Sequence, residues 1–195
     1  MIRLDAIDTL KNYKKSAEEL KEEARIILLA QKDHRYFERL YNDYFRDLFL
    51  FVYKRTGNED LADDITSQVF LKALLNLKKY QFRGVPFSAW LFRIAINEIN
   101  MYFRKLKAAK TITIDKVSMH NMMEICESED KDENHTFLFK ALNSLSPAAM
   151  ELINLRFFEN RSFKEIGEIL NITENNSKVR TYRIIDKLRK MLKSK

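Results

Sequence analysis

The sequence predicts an all-α protein, built as two small helical domains joined by a flexible acidic linker. Three observations point to it. Only 3 glycines and 2 prolines occur in 195 residues, so little interrupts helix. Apolar residues recur at three- and four-residue spacing along most of the chain. One stretch, 108–135, loses that period and turns acidic.

The elements follow in chain order. Residues 1–30 read as a helical extension, with Glu and Lys interleaved and Leu20, Ala24, Ile27 and Leu28 on one face. A first domain spans 31–107. Its leading helix puts Phe37, Leu40, Tyr41, Tyr44, Phe45, Leu48 and Val52 on one stripe and stops at Thr56-Gly57-Asn58. The next carries acids in its first turn, where the helix dipole favours them, and Leu61, Ile65, Val69, Phe70, Ala73, Leu74 and Leu77 as its apolar set. A break at FRGVP precedes a helix from about Phe87 to Lys107, with Ser88 as its expected cap. Residues 108–135 are the linker. A second domain spans 136–195. Pro147 suits the first turn of its second helix, SFKEIGEIL forms its third, and Asn171-Ile172-Thr173 makes a turn. Thr173 or Asn175 caps the last helix, which turns Thr181, Ile184, Ile185, Leu188 and Leu192 toward a core. Two short helices, a tight turn and a basic last helix make a helix-turn-helix.

Charge is concentrated. The segments 1–30, 31–77, 78–107, 108–135 and 136–195 carry net charges of 0, −1, +6, −4 and +6. Two separated basic blocks suit two contacts with a polyanion, although solvated helix faces account for charge alone equally well.

Composition excludes other chemistry. Gly57, Gly84 and Gly167 are scattered, so no phosphate-cradling loop is present. Cys126 stands alone, and His34, His120 and His135 lie far apart. No metal site, cofactor or nucleophile–base pair is expected, and the protein is not expected to be an enzyme. The acids at Asp60, Asp63 and Asp64 fit a helix amino terminus better than an active site. No secretion signal or membrane span is read, and a cytoplasmic location is expected.

Two constellations carry function. On the last helix, Asn175, Asn176, Lys178, Val179, Tyr182 and Arg183 fall near one side of the amino-terminal half. Amide, guanidinium and ammonium groups there match base edges in a major groove. Arg161, Lys164, Arg180 and Lys187 are placed to reach phosphates. The second constellation mixes cations (Arg83, Arg93, Arg104, Lys105, Lys107) with rings (Tyr80, Phe82, Phe87, Trp90, Phe92, Tyr102, Phe103). Stacking rings beside cations form a platform for unpaired bases. Asn97, two helical turns after Trp90, presents an amide on that face. Phe87, Leu91, Ala95 and Ile99 are assigned to the core. Gly167 inside a helix suggests a close crossing, or chance.

The order of these segments resembles an extracytoplasmic-function (ECF-type) sigma factor. EDLADDITSQVFLKAL is similar to the family's core-polymerase-binding helix, and FRGVPFSAWLFRIAINEI to its promoter-melting, minus-ten-reading segment. LNSLSPAAMELINLRFFENRSFKEIGEILNITENNSKVRTYRIIDKLRK is similar to its minus-thirty-five-reading domain. The resemblance implies bacterial core RNA polymerase and promoter DNA as partners. It implies that Asp60, Leu61, Asp64, Ile65, Gln68, Val69 and Phe70 face the polymerase clamp. Tyr80, Phe82, Arg83, Trp90, Arg93 and Asn97 would serve the minus-ten single strand, with Phe82 and Arg83 at the loop that pockets a flipped base. Lys178, Val179, Tyr182 and Arg183 would read the minus-thirty-five element, with Arg161, Asn175, Asn176 and Arg180 beside them. Residues 1–30 are a candidate docking site for an anti-sigma factor or another recruiting regulator; a helix covering the first domain is the simpler reading of them. Ser177 stands where the family usually buries a Val, which predicts a looser recognition helix; Asn175 replaces a common Gly; and the FRG-to-Trp loop is one residue short.

Two alternatives from other classes remain at this point. A dimeric helix-turn-helix regulator would bind duplex operators by itself, using 31–107 to sense or dimerise. An adaptor would hold partner proteins through the 1–77 helices, and the basic last helix speaks against it.

Overall fold

A computed structural model gives the arrangement of residues 15–106 and 133–193, which are the described residues. They are helical and fall into two compact units, one from Lys15 onward and one ending the chain. Residues 1–14 of the extension and most of the stretch read as linker lie outside the described residues.

Helix α1 (Ala17–Lys32) opens on a reciprocal cap. Ser16 Oγ accepts from the Glu19 backbone N–H at 3.1 Å, and Ser16 N–H donates to Glu19 at 2.6 Å. Hydrogen bonding from the Ser16 backbone N–H, and then from its side chain, holds the Glu19 carboxyl below its ordinary value. The helix buries Glu23, Ile26, Ile27 and Ala30. A single 3-10 turn (His34–Tyr36) leads into α2 (Phe37–Thr56). Gly57, at φ 64°, ends α2 in the left-handed conformation, as the sequence predicts. Asn58 Oδ1 then accepts from Leu61 N–H at 2.8 Å and starts α3 (Glu59–Asn76).

Helix α4 (Phe87–Leu106) does not use Ser88 as its cap. Ser88 lies inside the first turn and is buried. The cap comes from far upstream instead: Phe87 N–H donates to Glu23 Oε2 of α1 at 3.0 Å. The core of this unit joins Leu40, Leu48, Phe51 and Val52 of α2 to Ala62, Val69 and Ala73 of α3 and to Leu91, Phe92, Ala95 and Ile99 of α4. Phe51 and Phe92 meet with ring centroids 4.3 Å apart. Each fully buried Leu, Val, Ile or Phe among them contributes roughly 1.5–3 kcal/mol, and each Ala less. Arg55 is also fully buried; its guanidinium lies 3.5 Å over the Phe51 ring and donates to Phe51 O at 3.1 Å.

The second unit contains α5 (Glu133–Asn143), α6 (Pro147–Ile153), α7 (Phe163–Leu170) and α8 (Glu174–Lys193). Ser146 caps α6 with Pro147 in its first turn. The helix that Pro147 starts widens at its end into a π turn over Asn154–Phe158, where Glu159 N–H reaches Asn154 O at 2.9 Å. That turn carries Arg156 inward. It donates to Arg161 O at 3.0 Å and lies 4.7 Å from the Phe163 ring. Asn171, at φ 55°, ends α7, and Ile172 N–H closes on Gly167 O at 2.9 Å. Thr173 is the cap of α8: its hydroxyl accepts from Asn176 N–H at 3.1 Å, while Asn175 lies within the helix.

Candidate nucleic-acid interface

In the first unit, a loop from Tyr80 to Pro86 joins α3 to α4. Tyr80 packs on Trp90, tilted by 36° at 4.6 Å, and meets Phe87 edge-on at 5.3 Å. Trp90 is therefore only 8% exposed. The structure brings Tyr80 and Trp90 together, but as a supporting cluster, with Trp90 covered. Phe82 is 37% exposed and Arg83 is exposed, so the tip of the loop is the accessible part. Gly84 turns it with φ 68°. Arg93 is half-buried; Asn97 is exposed two helical turns along α4 from Trp90, about 10 Å in axial rise. Phe87, Leu91, Ala95 and Ile99 lie in the core, as assigned from the sequence.

On α3, Asp60, Asp64 and Gln68 are exposed and Leu61 is half-buried. Ile65, Val69 and Phe70 are placed otherwise than expected. All three are buried, and Phe70 packs on Tyr41 at 4.7 Å. The helical period puts positions 62, 65, 66, 69, 70 and 73 on one inward stripe, so these three side chains hold the helix down while its outer face is presented. Between α3 and α4 runs a shallow groove of about 270 Å³, bounded by Leu61, Asp64, Gln68 and the edge of Ile65 on one side and Glu98, Met101, Tyr102 and Lys105 on the other. The Lys72–Glu98 ion pair, at 2.6 Å, ties the two helices together beside it.

In the second unit, α8 exposes Asn175, Lys178, Val179, Arg180 and Arg183. Tyr182 is half-buried, its ring 6.1 Å from Phe163. Asn176 accepts from Arg180 Nε at 2.8 Å, so these two hold each other. Arg161 pairs with Glu165 at 3.4 Å and is 16% exposed, which leaves it less available to a phosphate than the α8 cations. Ser177 corrects the expectation of a loose helix. Its hydroxyl is fully buried, 2.8 Å from Phe163 O and 2.7 Å from Glu174 O, and fastens α8 to the start of α7. Gly167 explains the tight turn: a Cβ there would meet Ile172 O at 2.8 Å and Glu174 N at 3.2 Å.

Two contributors lie outside both constellations read in the sequence. Glu23 and Gln31 both lie on α1, and both bond to the ends of the 80–86 loop. A signal for Glu23 exists, because a carboxylate sits on the apolar stripe of Ile26, Ile27 and Ala30. Among the described residues, no group of three His, Cys, Asp or Glu side chains is placed to hold a metal ion, and no helix is long and apolar enough to cross a membrane.

Comparison with known proteins covers both units. A model of sigma-70 region 2 matches residues 40–109, and one of sigma-70 region 4 matches residues 141–190. The ECF RNA polymerase sigma factor BldN of Streptomyces coelicolor is 28% identical over 158 residues, 80% of this chain. The chain spans 60% of that protein's length. The ECF RNA polymerase sigma factor SigW of Bacillus subtilis is 27% identical over 181 residues, 87% of this chain and 95% of that one. In the solved complex of the sigma factor RpoE with the anti-sigma factor NepR from Bartonella quintana, one chain shares the fold, with TM-score 0.53, 22% identity, and coverage of 80% of this chain and 96% of that chain. An operator-binding dimer with an unrelated sensing module does not predict the match over 40–109.

Proposed function

Because the chain belongs to the sigma-70 family of RNA polymerase sigma factors, in its ECF branch, we propose that it binds core RNA polymerase and directs initiation at specific promoters. One observation carries the reading. A single chain presents an exposed ring-and-cation loop and an exposed amide, Asn97, on one unit, and an exposed basic recognition helix on the other. A duplex reader needs only the second. The protein acts as a specificity subunit in the cytoplasm, not as an enzyme.

The outer face of α3, through Asp60, Leu61, Asp64 and Gln68, is the polymerase contact. Ile65, Val69 and Phe70 support it from below. Phe82 and Arg83 take the flipped minus-ten base, with Asn97 on the wall of its pocket and Tyr80, Trp90 and Arg93 supporting the loop. Unstacking a base costs a few kcal/mol, which ring stacking and amide contacts offset. Lys178, Val179, Tyr182 and Arg183 read the minus-thirty-five duplex, with Asn175 beside them. An anti-sigma factor or recruiting regulator docks on α1, whose Leu28 is 59% exposed.

Two substitutions test the base contacts. Asn97→Ala weakens open-complex stability by about 1–3 kcal/mol and leaves core binding intact; a footprint of the melted region with a parallel core-affinity measurement separates the two, and equal loss of both removes Asn97 from its role. Arg183→Ala lowers promoter affinity of the holoenzyme by about 1–3 kcal/mol, and unchanged affinity in a titration removes it from the reading set. The function itself is tested by fluorescence anisotropy on a promoter duplex. Binding is tight with core polymerase and weak for the chain alone. Tight binding by the chain alone, unchanged by core, contradicts it.

A further inference from the structure

The ends of the loop that carries Phe82 and Arg83 are fastened by one helix, and that helix lies upstream of the sigma-70 match. At the entry, Gln31 Nε2 of α1 donates to Leu77 O at 2.9 Å and to Tyr80 O at 2.8 Å. At the exit, Glu23 Oε2 of α1 accepts from Phe87 N–H at 3.0 Å. Glu23 is itself fixed by Lys15 at 2.8 Å and by the Tyr44 hydroxyl. The matched region starts at residue 40, so neither anchor belongs to it.

The chemistry of each anchor suits its end. Leu77 O already accepts from Tyr80 N–H at 3.0 Å, and a carbonyl oxygen has room for a second proton, so one side-chain amide with two protons bridges it to Tyr80 O and ties the loop entry to α1. The first N–H groups of a helix lack intrahelical partners, and a carboxylate there is also favoured by the helix dipole. Between the anchors, Gln81, Phe82 and Arg83 are exposed, whereas Val85 is buried. The exposed tip is thus held at a fixed span and aim before any base arrives. Ordering that would otherwise oppose base capture is already complete in the folded protein.

We infer that Gln31 and Glu23 are positioning residues for promoter melting: α1 sets the register and direction of the 80–86 loop, so that its tip captures a base without first being ordered. The inference rests on the reading of that loop as the base-capturing element. It gives α1 a part in DNA opening that neither family segment contains.

Gln31→Met is the decisive variant. It removes both donors at nearly constant volume, and Gln31 is only half-buried, so the fold is retained. Gln31→Lys restores a donor group of similar reach. Full-length chains would be assembled with core polymerase on a promoter recovered with the native chain. Three quantities are read: core affinity, the unfolding midpoint reported by Trp90 fluorescence, and the rate of strand opening. The expected result is opening about five- to tenfold slower for Gln31→Met, with core affinity and midpoint near native, and recovery in Gln31→Lys. Opening at the native rate overturns the inference. So does a loss that tracks core affinity or the unfolding midpoint, or one that Gln31→Lys leaves in place. Failure of the native chain itself to bind core and open any promoter overturns the functional reading and this inference together; a competent native chain beside an indifferent Gln31→Met overturns this inference alone.

Discussion

Glu23→Leu lowers the stability of the first unit by about 2–5 kcal/mol. Glu23 is 3% exposed and accepts from Lys15, from the Tyr44 hydroxyl and from Phe87 N–H. Lys15 is 29% exposed, keeps the Tyr44 hydroxyl as an acceptor at 2.5 Å and water beside it, and adds little. The other two donors are buried in the junction of α1, α2 and α4, and each loses a strong acceptor to an alkyl chain. A buried donor left in that condition costs about 1–3 kcal/mol. Trp90 is the only tryptophan and packs on Tyr80 and Phe87 next to the junction, so its fluorescence follows this unit's unfolding. Glu23→Gln keeps an oxygen acceptor in place, and less than half the loss is expected. Equal losses for the two variants would assign the effect to charge and not to the acceptor.

Gly167→Val destabilises the helix-turn-helix by about 2–3 kcal/mol. The added Cβ meets the Ile172 carbonyl at 2.8 Å, and that atom belongs to the backbone of the turn, not to a flexible side chain. The turn has little room to retreat. It is closed by Ile172 N–H on Gly167 O, by Asn171 in the left-handed conformation and by Thr173 capping α8. A valine also fits a helix interior less well than alanine, because its branched Cβ crowds the preceding turn. The functional consequence is larger than the loss of stability, since moving residues 171–174 re-aims the start of α8, where Asn175, Lys178 and Val179 lie. Thermal denaturation followed by circular dichroism measures the first effect, and holoenzyme affinity for a minus-thirty-five duplex the second. Native behaviour in both would show that the turn yields.

Much of this was legible in the sequence, and most of the misses turn on partners that only folding supplies. Helical periodicity marks the stripes of α2 and α3, Gly57 ends α2, and Asn171 to Thr173 form the turn, because each signal is local. The burial of Ile65, Val69 and Phe70 followed from the same period. The resemblance nevertheless suggested that they face a partner, although a helix cannot present its whole circumference outward. Glu23, Arg55 and Arg156 are charged, and charge alone suggests solvent. What allows their burial is a partner supplied by folding: for Glu23, an N–H 64 residues away; for Arg55, the Phe51 ring and carbonyl; for Arg156, the Phe163 ring and Arg161 carbonyl. Ser177 misleads for the opposite reason. A hydroxyl at a buried position suggests weakness until its acceptor on α7 is seen. The π turn at Asn154–Phe158 has no signature in the residue pattern.

The central claim is that this chain confers promoter specificity on RNA polymerase. Its most direct test is run-off transcription with purified bacterial core polymerase and the full-length chain on a library of genomic fragments, preceded by co-purification with core. The predicted result is a stable complex with core and transcripts from discrete start sites that share minus-ten and minus-thirty-five sequences. Absence of core binding, together with tight duplex binding by the chain alone as a dimer, would contradict it.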